Sequence, residues 1–398
     1  MAHFKHYHIK TIFLLVTLTA LGTAPIQGQD DFESFKQQYQ QGYQSLLSEF
    51  ENGVAQSMED YEEYEKAYEE EFKKFKKEMM EKWGDFKERS KKQWVEYKEN
   101  GELRISVDFQ EGKGSVEKIV DSKEEAEKTK ENMDEEVEKA INAKPTREGF
   151  ETEKLPNKEV SEEPALEGQL AKEEHESDEE VAEKLAETQT RTKKVEGKDG
   201  ETRYVVYVDF SLADDHLEKR ARKVEDKVYK FSEAHNLNPA LVFAIIHTES
   251  YYNPTAASHA NAYGLMQLVP SSGGKDAYET AYNKDGVPTK EFLFNPDNNV
   301  RLGCTYVDIL TSRYFRDIDN ELTREYLAVS AYNTGAGNVA KAYIGSTNLN
   351  KAISEMNSRN PEENYELLVD NLPYKETRDY LKKVTERKEL YNSWKKEK

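Results

Sequence analysis

The stretch Ile245–Gln267, IIHTESYYNPTAASHANAYGLMQ, decides how the rest of this 398-residue chain is read. Just before it stand Asn238 and Pro239, a capping side chain followed by proline at the first helical position. They predict a helix over Pro239–Ser250 that carries Leu241, Val242, Phe243, Ile245 and Ile246. A helix apolar nearly all round belongs inside a core. Its last turn nevertheless holds a carboxylate, Glu249. There the electronegative carbonyl end of the helix and poor solvation both favour the protonated carboxyl, which is what a general acid near neutral pH requires. The helix alone leaves a second reading open, in which Glu249 points to solvent just past the buried face.

The distribution of acids bears on that choice. The chain has 78 Asp and Glu, yet Ser250–Lys275 contains none and Ala331–Gly345, which opens AYNTG, contains none. A site walled by these segments holds one carboxylate, whereas glycosidases that work with two need a partner acid at a defined distance. A lone acid needs help from its substrate, and the amide oxygen of an N-acetyl sugar can attack the anomeric carbon once the leaving group is protonated. The other residues suit an amino-sugar polymer. Gln267, Asn333 and Ser258 offer amides and a hydroxyl, Tyr263 and Tyr332 offer stacking faces and phenols, and Gly264, Gly335 and Gly337 admit close backbone approach. Met266 suits either an acetamido methyl or the core.

HTES with NPTAASHANAYGLMQLVP, followed by AYNTGAGNV (Ala331–Val339) and ETRDYLKKV (Glu376–Val384), resembles the lytic transglycosylase family with its lysozyme-like fold, and is similar also to goose-type lysozyme. ADDHLEKRARKVEDKV (Ala213–Val228) and LPYKETRDYLKKV (Leu372–Val384) look closest to the membrane-bound murein transglycosylase C branch, and Trp94–Val120 resembles that branch's small N-terminal domain more weakly. The resemblance implies non-hydrolytic cleavage of the β-1,4 bond between N-acetylmuramic acid and N-acetylglucosamine, with Glu249 as acid and then base, giving 1,6-anhydromuramyl ends. It implies a substrate-binding set of Ser258, Tyr263, Gly264, Leu265, Met266, Gln267, Tyr332 and Asn333, with Tyr380 near the acid, and neither cofactor nor metal. The alternatives are a lysozyme-type muramidase and a non-catalytic peptidoglycan-binding scaffold.

Outward from there the chain divides. The net charge is −21, but from Ser211 onward there are 25 basic against 27 acidic residues, and before it 32 against 51. The acidic half argues against nucleic acid as a partner. The expected partners are peptidoglycan strands and, through the acidic half, other cell-wall enzymes; a monomer is expected. Residues 1–28 have a basic start and an apolar run too short for a membrane span, which reads as a signal peptide with no lipidation cysteine beside it, and hence an exported, periplasmic protein, either soluble or held at the membrane by an uncleaved signal helix. His3, His6 and His8 fall in that leader. Cys304, the one cysteine, reads as a buried helix residue. Aromatic residues at threes and fours from Phe32 to about Tyr97 predict an amphipathic helix or helix pair broken near Gly53. Leu103–Phe109 and Ser115–Val120 alternate as a hairpin, and Arg203–Phe210 is a strand able to join it. The Glu- and Lys-rich residues 121–202 read as a solvated helix and then a flexible acidic linker. Helices are also expected at Leu217–Ala234, Gly264–Val269, Pro296–Ser312, Arg324–Tyr332 and Arg378–Glu389. The fold class expected is mainly α: a lysozyme-like helical catalytic domain from residue 203 to 398 behind a small α+β domain.

Overall fold

A computed structural model describes residues 54–55, 58–151, 158–171 and 176–394. The leader with its histidines and the aromatic stretch Phe32–Phe50 lie outside the described residues.

The strand β1 (Val54–Ala55) precedes a long helix, α1 (Met58–Trp83). Tyr68, Phe72, Phe75, Met79 and Trp83 form one stripe along α1, and it packs on Val95, Tyr97, Ile119, Phe150 and Val205. Those residues belong to one face of an antiparallel sheet built from β2 (Gln93–Lys98), β3 (Leu103–Asp108), β4 (Lys113–Val120), β5 (Arg191–Glu196) and β6 (Thr202–Ser211), in the order β2-β3-β4-β6-β5. The hairpin and the returning strand are as expected from the alternation, with Val116 opposite Val208 in the β4–β6 register. The aromatic pattern does not stay helical to Tyr97: the helix ends at Trp83 and Gly84 turns with φ +77°, after which Trp94 and Tyr97 take opposite faces of β2.

The other sheet face is covered by α2 (Lys123–Glu131), α3 (Met133–Ile141) and α4 (Asp178–Gln189). The helix expected in the first part of residues 121–202 is thus a pair, α2 and α3, and the part expected to be a flexible linker contains α4. Their apolar residues are few but placed at helical spacing, so Ala126, Met133, Val137, Ile141 and Val181 are all buried against Trp94, Ile105 and Val206. Charge fills the outward positions; Ser122 and Ser177 each close a capping box.

The helical part starts after the sheet, not at residue 203. It comprises α5 (His216–Lys223), α6 (Glu225–Ala234), α7 (Pro239–Ser250), α8 (Lys275–Tyr282), β7 (Val287–Pro288) paired with β1, α9 (Lys290–Phe294), α10 (Pro296–Ile309), α11 (Glu321–Thr334), α12 (Ala336–Ile344), α13 (Leu349–Asn357), α14 (Pro361–Asn371) and α15 (Lys375–Tyr391). The centre is α7, capped by Asn238 with Pro239 at its first position, and buried on every side from Ala240 to Ile246. Helix α15 runs against it through Tyr380, Leu381, Val384 and Tyr391. Sheet and helices share one compact unit. The buried Arg220 joins them: its guanidinium donates to the carbonyls of Tyr251 (3.0 Å) and Phe109 (3.4 Å) and to Gln169 Oε1 (2.9 Å).

Candidate active site

Helix α7 ends in two consecutive left-handed residues, Tyr251 (φ 51°) and Tyr252 (φ 61°), which turn the chain sharply after Glu249 and Ser250. Several groups fix this end. Arg387 of α15 donates to the His247 carbonyl (3.0 Å) and to the Tyr251 hydroxyl (2.7 Å), so a cation sits at the helix C-terminus. Ser250 donates to the Leu265 carbonyl at 2.8 Å, tying the helix to the loop that follows.

That loop, Gly264–Gln267, was expected to be helical and is a tight turn. Gly264 (φ +77°) and Gln267 (φ 48°) are both left-handed, which no helix accommodates. Glycine is required at 264: a Cβ there would lie 2.2 Å from both the Leu293 carbonyl oxygen and Asn299 Nδ2. Asn299, fully buried in α10, organises the turn. Its Oδ1 accepts from the Met266 amide (2.8 Å), and its Nδ2 donates to the carbonyls of Tyr263 (2.9 Å) and Leu293 (2.7 Å). Gln267 Nε2 donates to the Ala256 and Gly264 carbonyls, leaving its buried Oε1 unpaired.

Glu249 is 4% exposed. Burial raises its carboxyl above the usual carboxylate range, against the opposing pull of Lys91 and the Tyr380 hydroxyl, while the charge of Glu376 adds a smaller upward push. Lys91 Nζ donates to Glu249 Oε2 at 2.9 Å. The Tyr380 hydroxyl adjoins the same carboxylate without completing a hydrogen bond to it and has no other partner among the described residues. Tyr332, at the end of α11, donates to the Met266 carbonyl (2.7 Å) and lies near enough for the Glu249 charge to act on it. Burial first and that charge second hold both phenols protonated far above the ordinary range. Gly335 (φ +83°) ends α11 and starts α12, so half-buried Asn333 stays at the helix end, with no side-chain hydrogen bond among the described residues.

The remaining candidates fall elsewhere. Leu265 and Met266 are wholly buried, with the Met266 thioether packed where Gly303 of α10 lacks a side chain; only their backbones face the site. That settles Met266 as a core residue, because α10 offers it a glycine-sized slot. Tyr263 is 2% exposed, lies under Lys290 and Glu65, and has no free face for stacking. Ser258 accepts from the amides of Ala260 and Ala262, closing its own turn. Ser258 and Tyr263 instead line a 180 Å³ cleft with Phe72, Phe86 and Lys290, on the α1 side of the loop. Cys304 is buried in α10, and burial pushes its thiol up. Among the described residues no group of His, Cys, Asp or Glu is placed to hold a metal ion.

Sequence reasoning missed Lys91, Asn299 and Glu376. Lys91 is one of 57 basic residues and sits 158 positions from its partner, so nothing in the chain marks it. Glu376 is exposed in the first turn of α15, one helical turn before Tyr380, and supplies a second carboxylate charge from outside the two acid-free segments.

Residues 227–357 match the family profile "Transglycosylase SLT domain", and residues 59–223 match "Membrane-bound lytic murein transglycosylase C, N-terminal domain". Over those spans the chain is similar to the SLT-domain lytic transglycosylases. Glu249, the Gly264–Gln267 turn and AYNTG lie within the SLT match; Tyr380 lies beyond it and Lys91 within the N-terminal one. The N-terminal match also runs through the acidic residues 121–202. Membrane-bound lytic murein transglycosylase C of Klebsiella pneumoniae is 37% identical over 203 residues, 51% of this chain and 55% of that protein. The like-named protein of Actinobacillus pleuropneumoniae is 37% identical over 189 residues, 48% and 51% respectively. The chain thus spans about half the length of the curated relatives it matches. Among solved structures, the 70 kDa soluble lytic transglycosylase SLT70 of Escherichia coli aligns with TM-score 0.34 at 22% identity, over 45% of this chain and 25% of that one. No helix among the described residues is long and apolar enough to cross a membrane.

Proposed function

We propose that this transglycosylase cleaves the β-1,4 bond between N-acetylmuramic acid and N-acetylglucosamine in peptidoglycan without consuming water. The observation that carries this is a buried Glu249 at the end of an apolar helix, with its carboxyl raised by burial and two protonated phenols, Tyr332 and Tyr380, beside it. Such a carboxyl is a proton donor near neutral pH. Glu249 gives its proton to the glycosidic oxygen as the bond to the anomeric carbon breaks. The muramyl acetamide oxygen closes on that carbon, giving an oxazolinium-like intermediate. Glu249, now a carboxylate, takes the proton from the muramyl C6 hydroxyl, and the C6 oxygen displaces the acetamide to form the 1,6-anhydro ring. The proton count returns to its start. Asn333 and the amide edge of Gln267 hold the sugars, Tyr332 braces the turn through the Met266 carbonyl, and Tyr380 orients the acid. We further propose that the catalytic unit begins after β6, that the protein is exported to the periplasm of a Gram-negative cell with residues 1–28 as its signal, and that it works as a monomer.

One observation favours the muramidase alternative: Glu376, whose charge reaches Glu249, is a second carboxylate of the kind a hydrolase uses to activate water. Its exposure argues against that role. Replacing Glu249 with Gln keeps the shape and removes the proton. Clearing of peptidoglycan in a zymogram then falls by at least about 10²–10⁴-fold, and clearing at the wild-type rate contradicts the assignment.

A further inference from the structure

Lys91 reaches Glu249 from the other half of the molecule. It lies in the loop between α1 and β2, and its neighbours leave that loop little freedom. Arg89 donates to the carbonyls of Val95 (2.8 Å) and Thr146 (2.7 Å) and pairs with the buried Glu96. Ser90 Oγ accepts from the amides of Lys92 and Gln93. The Phe109 amide donates to the Lys92 carbonyl (2.9 Å), and the Lys92 ammonium stands over the Tyr251 ring (5.4 Å). Between these anchors the Lys91 side chain is one-third exposed, while the carboxylate it meets is nearly sealed. The ammonium therefore occupies the solvent side of the acid, where a glycosidic oxygen would have to come.

We propose that Lys91 is a positioning residue for the acid: its ammonium pairs with the Glu249 carboxyl while no substrate is bound, and an entering amino-sugar strand must displace it before Glu249 can donate. The inference rests on the reading of Glu249 as the acid. As the ammonium withdraws, the pull that opposed burial is lost and the carboxyl holds its proton to higher pH. The groups that act on the Glu249 carboxyl include Lys91 from the sheet side, by charge and hydrogen bond, and from α15 the Tyr380 hydroxyl by hydrogen bond and Glu376 by charge; Tyr332 of α11 in turn feels the charge of Glu249. Of these Lys91 alone is a cation, and an opposite charge at hydrogen-bond distance lowers a carboxyl by roughly 1–3 pH units. Removing it leaves burial and Glu376 to act, both of which raise the carboxyl.

Lys91→Met, with Lys91→Gln as a second variant and Lys91→Arg as the charge-conserving control, tests this in the full chain. The Glu249 side-chain carboxyl is titrated by ¹³C NMR, kcat/KM on solubilised glycan strands is measured against pH, and binding of an N-acetylglucosamine oligomer is measured at neutral pH. Met and Gln are expected to move the carboxyl titration and the basic limb of kcat/KM upward together by about one pH unit or more, and to tighten oligomer binding several-fold. Arg restores wild-type behaviour. An unchanged titration in a folded variant overturns the proposal, and so does weaker oligomer binding, which would make Lys91 a ligand for sugar. A shifted titration in a protein inactive at every pH would instead sink the transglycosylase reading and leave the Lys91 pairing standing.

Discussion

Glu249 owes its chemistry to what surrounds it on the chain as much as in space. Eight apolar or small residues, Pro239 to Ile246, stand before it in α7, the helix carbonyls end at it, and Tyr251 and Tyr252 turn the backbone away before any charged side chain can follow. A buried carboxyl in that position keeps its proton to higher pH than a surface one, so activity that depends on the acid form is present at low and neutral pH and is lost as pH rises through the raised value. Glu376 provides the counter-test. Were it a water-activating base, Glu376→Gln would abolish cleavage as Glu249→Gln does. With Glu249 acting alone, Glu376→Gln lowers kcat by less than about tenfold and moves the basic limb slightly downward, because a charge that raised the carboxyl has gone.

At the scale of elements, the turn Gly264–Gln267 and the strand β2 show what the sequence conveys and what it hides. The capped helix α7, the hairpin β3–β4 and the return of β6 follow from local signals: Asn-Pro at a helix start, and alternation around glycines. The turn does not, because GLMQ looks like helix and becomes a turn only through Asn299, which supplies three hydrogen bonds from 33 to 36 positions away or from its own neighbourhood. The roles of Met266 and Tyr263 were hidden for the same reason: whether such a side chain faces a groove depends on Gly303 and on Glu65 and Lys290, and no spacing rule links those positions. Gly264→Ala tests the turn. The added Cβ meets a carbonyl oxygen and an amide at a strained φ, so the variant unfolds at a lower temperature, with a loss of roughly 2–4 kcal/mol, and loses activity beyond what the remaining folded fraction explains. A melting curve that superimposes on wild type would count against that account. In the sheet, buried Glu117 accepts from Arg104 (2.8 Å) and Lys87 (2.7 Å) and is held down to about 2. A depressed carboxyl stabilises the fold above its unfolded value and loses that contribution as pH falls from about 4.5 toward 2. Glu117→Gln flattens the acid limb of a denaturation curve in that window by on the order of 3 kcal/mol, and leaves neutral-pH cleavage intact.

The whole molecule joins an acidic α+β half to a near-neutral helical half, and the joint passes through the site. Arg220 ties the sheet to the carbonyl of Tyr251, Lys290 pairs with Glu148 (2.6 Å) over the rings of Tyr68 and Tyr263, and Lys91 meets Glu249. The charge asymmetry was plain from composition, but its meaning was not: the acids of residues 121–202 are the solvated faces of helices whose sparse apolar residues complete the sheet's core. The proposed reaction is cleavage by one buried acid with help from the substrate, and the products record whether it happens. The mass of muropeptides released from purified sacculi, with the Glu249→Gln protein as control, measures it directly. The account predicts fragments ending in 1,6-anhydromuramic acid, one water lighter than hydrolysis products, from the wild-type protein alone; reducing-end fragments with the full mass of water would contradict it.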